Sequence, residues 1–212
     1  MPRVVECFSS LQGESTQAGR RCFFIRLEGC NLDCSYCDTR YASCGGVEKS
    51  VDELVSLAVE SGIPLVEITG GEPLLEKQVP ELCRRLMERG IEVMIETNGS
   101  LDISVLPDGV RRIVDCKLPD SGMAEHNLRS NFTALTELDE VKFVISSRRD
   151  FDYAMEFIRD CRLEESAAVL LASPVWGRVS FEDLADWVVK SGSRLRMQLQ
   201  MHKIIWGDKK GV

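Results

Sequence analysis

Strand-like runs alternate with helix-like runs along almost the whole chain, and no other feature limits its fold as much. Residues 22–27 are rich in aromatic and β-branched side chains and read as a strand, as do 65–69, 91–96, 112–116, 141–145, 168–171 and 195–201. Between them lie amphipathic stretches. Ser50 and Glu53 form a capping box that opens a helix through Leu54, Leu57 and Ala58 to Gly62. Val79, Leu82, Cys83, Leu86 and Met87 recur at helical spacing, and Gly90 closes that helix. Residues 151–162 and 181–190 read as two more helices, the second capped by Ser180. Strands joined through helices pair in parallel. Seven of them fall short of a complete eightfold βα barrel of roughly 250 residues. The expected fold is therefore α/β: a partial, open βα barrel with its helices outside. In such folds the site lies at the C-terminal strand ends.

The totals narrow the function classes. In 212 residues there is room for one domain with a substantial core. A net charge of -8 with no long basic run disfavours a grip on nucleic acid, which depends on Lys and Arg neutralising phosphates. No stretch approaches the roughly 20 apolar residues that span a bilayer, and residues 1–6 do not open a secretory signal. The expectation is a cytoplasmic protein without membrane contact. Its nine cysteines then read as free thiols or metal ligands rather than disulfides. Cys7, Cys22, Cys83, Cys116 and Cys161 stand singly and read as small buried hydrophobes; Cys44 is ambiguous, and the same reading is favoured for it.

Three cysteines are different. Cys30, Cys34 and Cys37 share one tight loop after the first predicted strand. Three thiolates leave a four-ligand centre one position short, which suits a cubane iron–sulfur cluster with one open iron better than a closed zinc site. One βα unit later comes Thr69-Gly70-Gly71-Glu72-Pro73. Alone, that sequence fits a simple turn as well as a backbone that approaches a ligand.

The spacing Cys-x3-Cys-x2-Cys with Tyr36 before the third cysteine resembles the radical S-adenosylmethionine superfamily, and Gly-Gly-Glu-Pro resembles that superfamily's methionine-binding element. The resemblance implies a [4Fe-4S] cluster on Cys30, Cys34 and Cys37. It also implies S-adenosylmethionine chelated at the open iron and cleaved reductively to a 5′-deoxyadenosyl radical. Further motifs lie in order along the chain: Leu11-Gln12-Gly13-Glu14, Phe24-Ile25-Arg26-Leu27, Cys37-Asp38-Thr39, Asp115-Cys116-Lys117, Ser173-Pro174-Val175-Trp176 and Gln200-Met201-His202-Lys203. Together they resemble the 7-carboxy-7-deazaguanine synthase family. Its lyases convert 6-carboxy-5,6,7,8-tetrahydropterin to 7-carboxy-7-deazaguanine with loss of ammonia, in 7-deazapurine (queuosine precursor) biosynthesis.

Carried over residue by residue, the resemblance gives Leu11, Gln12, Gly13, Glu14, Arg26, Thr69, His202 and the terminal carboxylate of Val212 to the substrate. Glu14 would face the guanidine-like edge and Arg26 the carboxylate. S-adenosylmethionine would take Tyr36, Cys37, Asp38, Gly71, Asp115, Cys116, Lys117, Ser173, Pro174, Val175 and Trp176, and Mg2+ the hydroxyl of Thr39. No protein acid or base is assigned. A flavodoxin- or ferredoxin-type reductant and a homodimer are implied too. The domain expectation is one unit over residues 1–212, closed by an N-terminal substrate loop (about 9–16) and a C-terminal tail (about 202–212).

Plainer readings stand beside these. Arg26 fits a structural ion pair, Glu14 a solvated loop, Lys117 a surface lysine, His202 a satisfied core histidine, and Asn98-Gly99 a turn. As a whole, the chain also has two rival readings: an activase that installs a glycyl radical on a partner protein, and a non-enzymatic zinc-binding module. One departure from the family loop is Ser15, where a glycine is common; serine tolerates fewer backbone angles, so a different local turn is expected.

Overall fold

The computed structural model describes residues 1–207, 209 and 211. Its strands are β1 (Arg3–Leu11), β2 (Arg21–Leu27), β3 (Val47–Glu48), β4 (Leu65–Gly70), β5 (Glu92–Thr97), β6 (Arg111–Cys116), β7 (Glu140–Ile145), β8 (Val169–Pro174) and β9 (Arg196–Met197). They form one sheet in the order β3-β1-β2-β4-β5-β6-β7-β8-β9. From β2 to β9 every pairing is parallel. The two ends of the sheet do not meet, so the barrel is partial and open as expected. Among the described residues no helix is long and apolar enough to cross a membrane.

Helices α1 (Val51–Glu60), α2 (Val79–Glu88), α3 (Arg148–Asp160) and α4 (Phe181–Ser191) follow the strands they return from. The Ser50–Glu53 capping box closes in both directions, worth about 1 kcal/mol to α1. One apolar layer joins α1 and α2 to the outer faces of β2, β4 and β5 through Leu54, Leu82, Leu86, Ile25 and Ile68. A second joins α3 and α4 to β6, β7 and β8 through Phe143, Phe151, Phe157 and Leu184.

Three expectations need correction. The chain begins with an additional strand, β1, antiparallel to β2, and β3 pairs antiparallel beyond it. Most of β1 is only half-buried, so it lacks the continuous apolar run that marks the parallel strands. The predicted last strand, 195–201, shrinks to β9. Its alternation of Leu195, Met197 and Leu199 suits a strand, but Met201 opens a short helix, α5 (Met201–Trp206), and donates its N–H to Gly13 O at 2.9 Å. Finally, β8 runs through Pro174, so Ser173 and Pro174 are strand residues rather than loop residues. Smaller shifts have local causes. Ser147 accepts the Asp150 N–H and starts α3 three residues early.

Strand alternation sends every second side chain inward. At the N-terminal ends the inner face is apolar: Cys22, Phe24, Leu65, Met94 and Ile113, with Phe8 stacked on Phe24 at 5.0 Å. The next inward positions carry Arg26, Glu67, Glu96, Asp115 and Lys142. Residues 12–20 lie across the N-terminal strand ends. Thr16 is held by Glu140, the first residue of β7, and Arg20 by Glu92, the first residue of β5.

Candidate active site

A cavity of about 750 Å³ fills the inner face. The cysteine loop, which follows β2, bounds it at the C-terminal strand ends; the 12–20 loop bounds it at the other. Functional side chains therefore arrive from both ends of the barrel, not only from the C-terminal one.

Cys30, Cys34 and Cys37 all line this cavity. Their loop is fixed by backbone bonds from Gly29 to Ala42 (2.9 Å), from Cys37 to Cys34 (3.2 Å) and from Ser35 to Ser121 (3.0 Å). Tyr36 donates its hydroxyl to Val144 O at 3.2 Å, and Arg178 stacks over its ring. Burial raises the Cys34 thiol and the neighbouring Cys30 and Cys37 raise it further, while Lys117 works the other way. Cys44 is exposed and lies off the cavity, so the buried-hydrophobe reading does not hold for it.

The Gly-Gly-Glu-Pro element is locked to this loop. A Cβ on Gly71 would sit 1.9 Å from Gly29 O, so only glycine permits the approach. Glu72 donates its N–H to that carbonyl at 2.7 Å. Its buried carboxylate accepts from Thr97 Oγ1 at 2.8 Å, Asn98 N at 2.6 Å and Leu74 N at 3.0 Å. Asn98, read as a turn residue whose strand-end position leaves cofactor contact open, lines the cavity and directs its amide to Asn31 Oδ1 and Cys30 Sγ.

Asp115 and Lys117 pair at 2.8 Å on the cavity wall. The other oxygen, Asp115 Oδ1, is buried with no hydrogen-bond partner among the described residues. An orphaned acceptor of this kind calls for a donor from a bound molecule. With the three thiols lining the same cavity and the close Gly71 approach beside them, the wall fits a cluster-bound cofactor bearing hydroxyl and amino donors.

Glu14 is the hub of the opposite side. Lys142 Nζ donates to its Oε2 at 3.0 Å and Gln200 Nε2 to its Oε1 at 2.9 Å. Burial works to raise its pKa, but Lys142, Gln200 and His202 outweigh that and hold it below the usual carboxylate value. The solvated-loop reading fails here. Lys142 also donates to Glu96, whose pKa burial raises in spite of that contact. Arg26 is in an ion pair: Nε donates to Glu6 at 2.7 Å, with the Tyr41 hydroxyl on the same oxygen. Arg26 nevertheless lines the cavity. His202 sits on α5 rather than at a strand end, and burial lowers its pKa while Glu14 and Asp38 oppose.

Leu11, Gln12, Gly13, Glu14, Arg26, Thr69 and His202 thus meet in one cavity with Tyr36, Cys37, Asp38, Thr39, Gly71, Asp115, Lys117, Val175 and Trp176. Three predicted residues do not reach it. Cys116 points into the outer apolar layer, Ser173 is buried and accepts from Gln198 at 2.8 Å, and Pro174 ends β8. Val212 lies outside the described residues. Glu67, Glu96 and Lys142 were missed. Their signal was the one that marked Arg26, a charge inside an apolar strand.

Comparisons with known proteins agree with this geometry. The Radical SAM superfamily profile matches residues 24–188. A 7-carboxy-7-deazaguanine synthase of Koribacter versatilis is 41% identical, covering 99% of this chain and 100% of its own. One from Chlorobaculum tepidum is 39% identical over 99% and 96%. The chain belongs to the 7-carboxy-7-deazaguanine synthase family. Its fold matches the crystal structure of QueE from Escherichia coli with a TM-score of 0.72 at 24% identity, covering 93% of each chain. Radical SAM membership implies a [4Fe-4S] cluster and S-adenosylmethionine as cofactors, and it sets aside the zinc-binding module.

Proposed function

We propose that this chain is a radical S-adenosylmethionine lyase that converts 6-carboxy-5,6,7,8-tetrahydropterin to 7-carboxy-7-deazaguanine, releasing ammonia, in 7-deazapurine biosynthesis. The observation that carries the reading is the end-to-end match to synthases of that name, joined to a cavity that Gln12, Glu14 and Arg26 line together with the three thiols. The same match disfavours a glycyl-radical activase, which leaves those three residues unexplained as a set.

Cys30, Cys34 and Cys37 would hold the cluster, and Asp115 Oδ1 would take a donor from S-adenosylmethionine beside Gly71, Tyr36 and Trp176. Bound there, the two cofactors supply one-electron radical chemistry. Everything else falls to the chain's own side chains. Glu14, kept ionised by Lys142, accepts from the guanidine-like edge of the pterin. Arg26 has its Nε on Glu6, and its Nη groups would take the substrate carboxylate. Thr69 and His202 complete the wall.

Thr39 is the proposed Mg2+ ligand. Its hydroxyl lies 3.3 Å from Asp38 Oδ1, which makes a pair of hard oxygen donors at the cavity. The reading extends to a flavodoxin- or ferredoxin-type reductant, a homodimer, a cytoplasmic location and a single catalytic unit. The one continuous sheet supports that unit.

Anaerobic turnover of the carboxytetrahydropterin with S-adenosylmethionine and a reductant tests the assignment. Wild type is expected to release ammonia and the deazaguanine product, and Glu14→Ala and Arg26→Ala to lose most of it. If both variants match wild type, the substrate assignment is wrong even where S-adenosylmethionine is cleaved.

A further inference from the structure

Glu67 is a buried carboxyl in the middle of β4, between apolar Leu65 and Thr69 on the inner face. It lines the cavity. Its partner is Gln12, whose Nε2 donates to Glu67 Oε2. The same nitrogen lies 3.5 Å from Met94 Sδ. At the other end of the amide, Gln12 Oε1 accepts the Glu14 N–H at 3.0 Å. The reverse orientation would set an NH2 group against that N–H, donor to donor. Both amide hydrogens of Gln12 are therefore occupied by protein, and the unused capacity of this side chain is one lone pair on Oε1.

We propose that Glu67 is a positioning residue that fixes the Gln12 amide so that it can only accept a hydrogen bond from the substrate. This rests on the reaction proposed above. Gln12 and Glu14 then form an acceptor-only floor, matched to a ring edge of N–H and NH2 donors and hostile to a ring that presents acceptors there. Burial, and then Glu96, push Glu67 up to about 8, so near neutral pH it is a neutral acid. A glutamine at this position retains both the neutrality and an acceptor oxygen.

The test compares Glu67→Met with Glu67→Gln in steady-state turnover of the carboxytetrahydropterin. Losing the anchor of one hydrogen bond should raise KM for the pterin about tenfold in Glu67→Met, with a smaller change in kcat. Glu67→Gln should stay within about threefold of wild type. Because Glu67 acts through Gln12, adding Glu67→Met to Gln12→Ala should raise KM no further, whereas independent roles would add. Should Glu67→Met fail to fold, Glu67→Ala gives the same reading with no added atoms. A wild-type KM in Glu67→Met or Glu67→Ala, or full additivity with Gln12→Ala, overturns the inference while wild-type turnover leaves the reaction standing. No turnover by wild type overturns the reaction assignment and this inference with it.

Discussion

Gly13 and His202 touch without room for a methyl group between them. A Cβ on Gly13 would lie 2.4 Å from His202 Nδ1, and the Met201 N–H already bonds Gly13 O at 2.9 Å. The N-terminal loop thus seats α5 and sets where the imidazole stands. Gly13→Ala should displace His202 and lower kcat/KM by about tenfold to 100-fold, since small misplacements of a substrate-facing group carry costs of that size. Steady-state kinetics on Gly13→Ala, His202→Ala and the double variant check it. The double variant should be much closer to His202→Ala than additivity would put it, because truncation removes the Nδ1 and Cγ contacts and leaves only the residue 202 backbone N, 3.0 Å from the new methyl.

Ser15 answers a question about the loop's departure from its family. The serine adopts φ 63°, the left-handed conformation that favours glycine. Its own hydroxyl helps by accepting the Gln17 N–H at 2.9 Å, and its N–H donates to Gln198 Oε1 at 2.8 Å. A left-handed residue costs roughly 1–2 kcal/mol, and the hydroxyl bond returns about 1 kcal/mol. Ser15→Gly should therefore change stability by less than about 1 kcal/mol. Ser15→Val, β-branched and without the hydroxyl, should lose about 2 kcal/mol or more. Urea midpoints distinguish them, and equal midpoints for Val and Ser would contradict the account.

The parallel strands and their helices were legible because burial on both faces writes long apolar runs, and because caps such as Ser50 and Ser180 punctuate the helices. β1 was not, since a half-buried antiparallel strand carries neither signal. At the site, residues in loops after strands were legible by position. Glu67, Glu96 and Lys142 were hidden because their partners are far apart in sequence: Lys142 meets Glu14 and Glu96 only once the barrel curls. Cys116 and Ser173 show the reverse failure. They neighbour cavity residues in sequence, but Cys116 points outward with the strand's alternation and Ser173, on a longer strand than expected, is taken up by Gln198.

Glu67 also predicts a dependence of stability on pH. Its carboxyl is raised from 4.5 to about 8 by burial and then by Glu96, against the opposing effects of Gln12 and Lys142, while Glu14 adds to the rise. Between those values the folded chain holds a proton that the unfolded chain releases. The contribution of Glu67 is thus full below about pH 4.5 and is lost as pH rises toward 8. Glu67→Gln does not titrate, so its stability relative to wild type should climb with pH, by at most about 1.4 kcal/mol per unit. Chemical unfolding of cluster-free wild type and variant at several pH values between these limits reads the difference. A difference that is flat or falls with pH would be inconsistent with a protonated Glu67.

Among the described residues, Lys142 is the one ammonium set between Glu14 and Glu96, with almost none of its side chain exposed. Burial alone would lower its pKa, but the two carboxylates and Asp115 hold it well above the ordinary lysine value, so it stays charged. Lys142→Met removes that charge and leaves two carboxyls facing each other in a closed space. Breaking a buried pair in this way costs about 3–5 kcal/mol. Glu14, no longer held ionised, would shift upward in pKa and lose its advantage as an acceptor for a donor edge. The variant should therefore be both less stable and weaker in pterin binding, and the two losses should separate on adding Glu96→Gln. That second change removes the repulsion and should restore much of the stability, but it returns no positive charge to Glu14, so the raised KM should persist. Thermal unfolding and KM measured on the single and double variants decide it: recovery of both together would mean that Lys142 serves the fold alone.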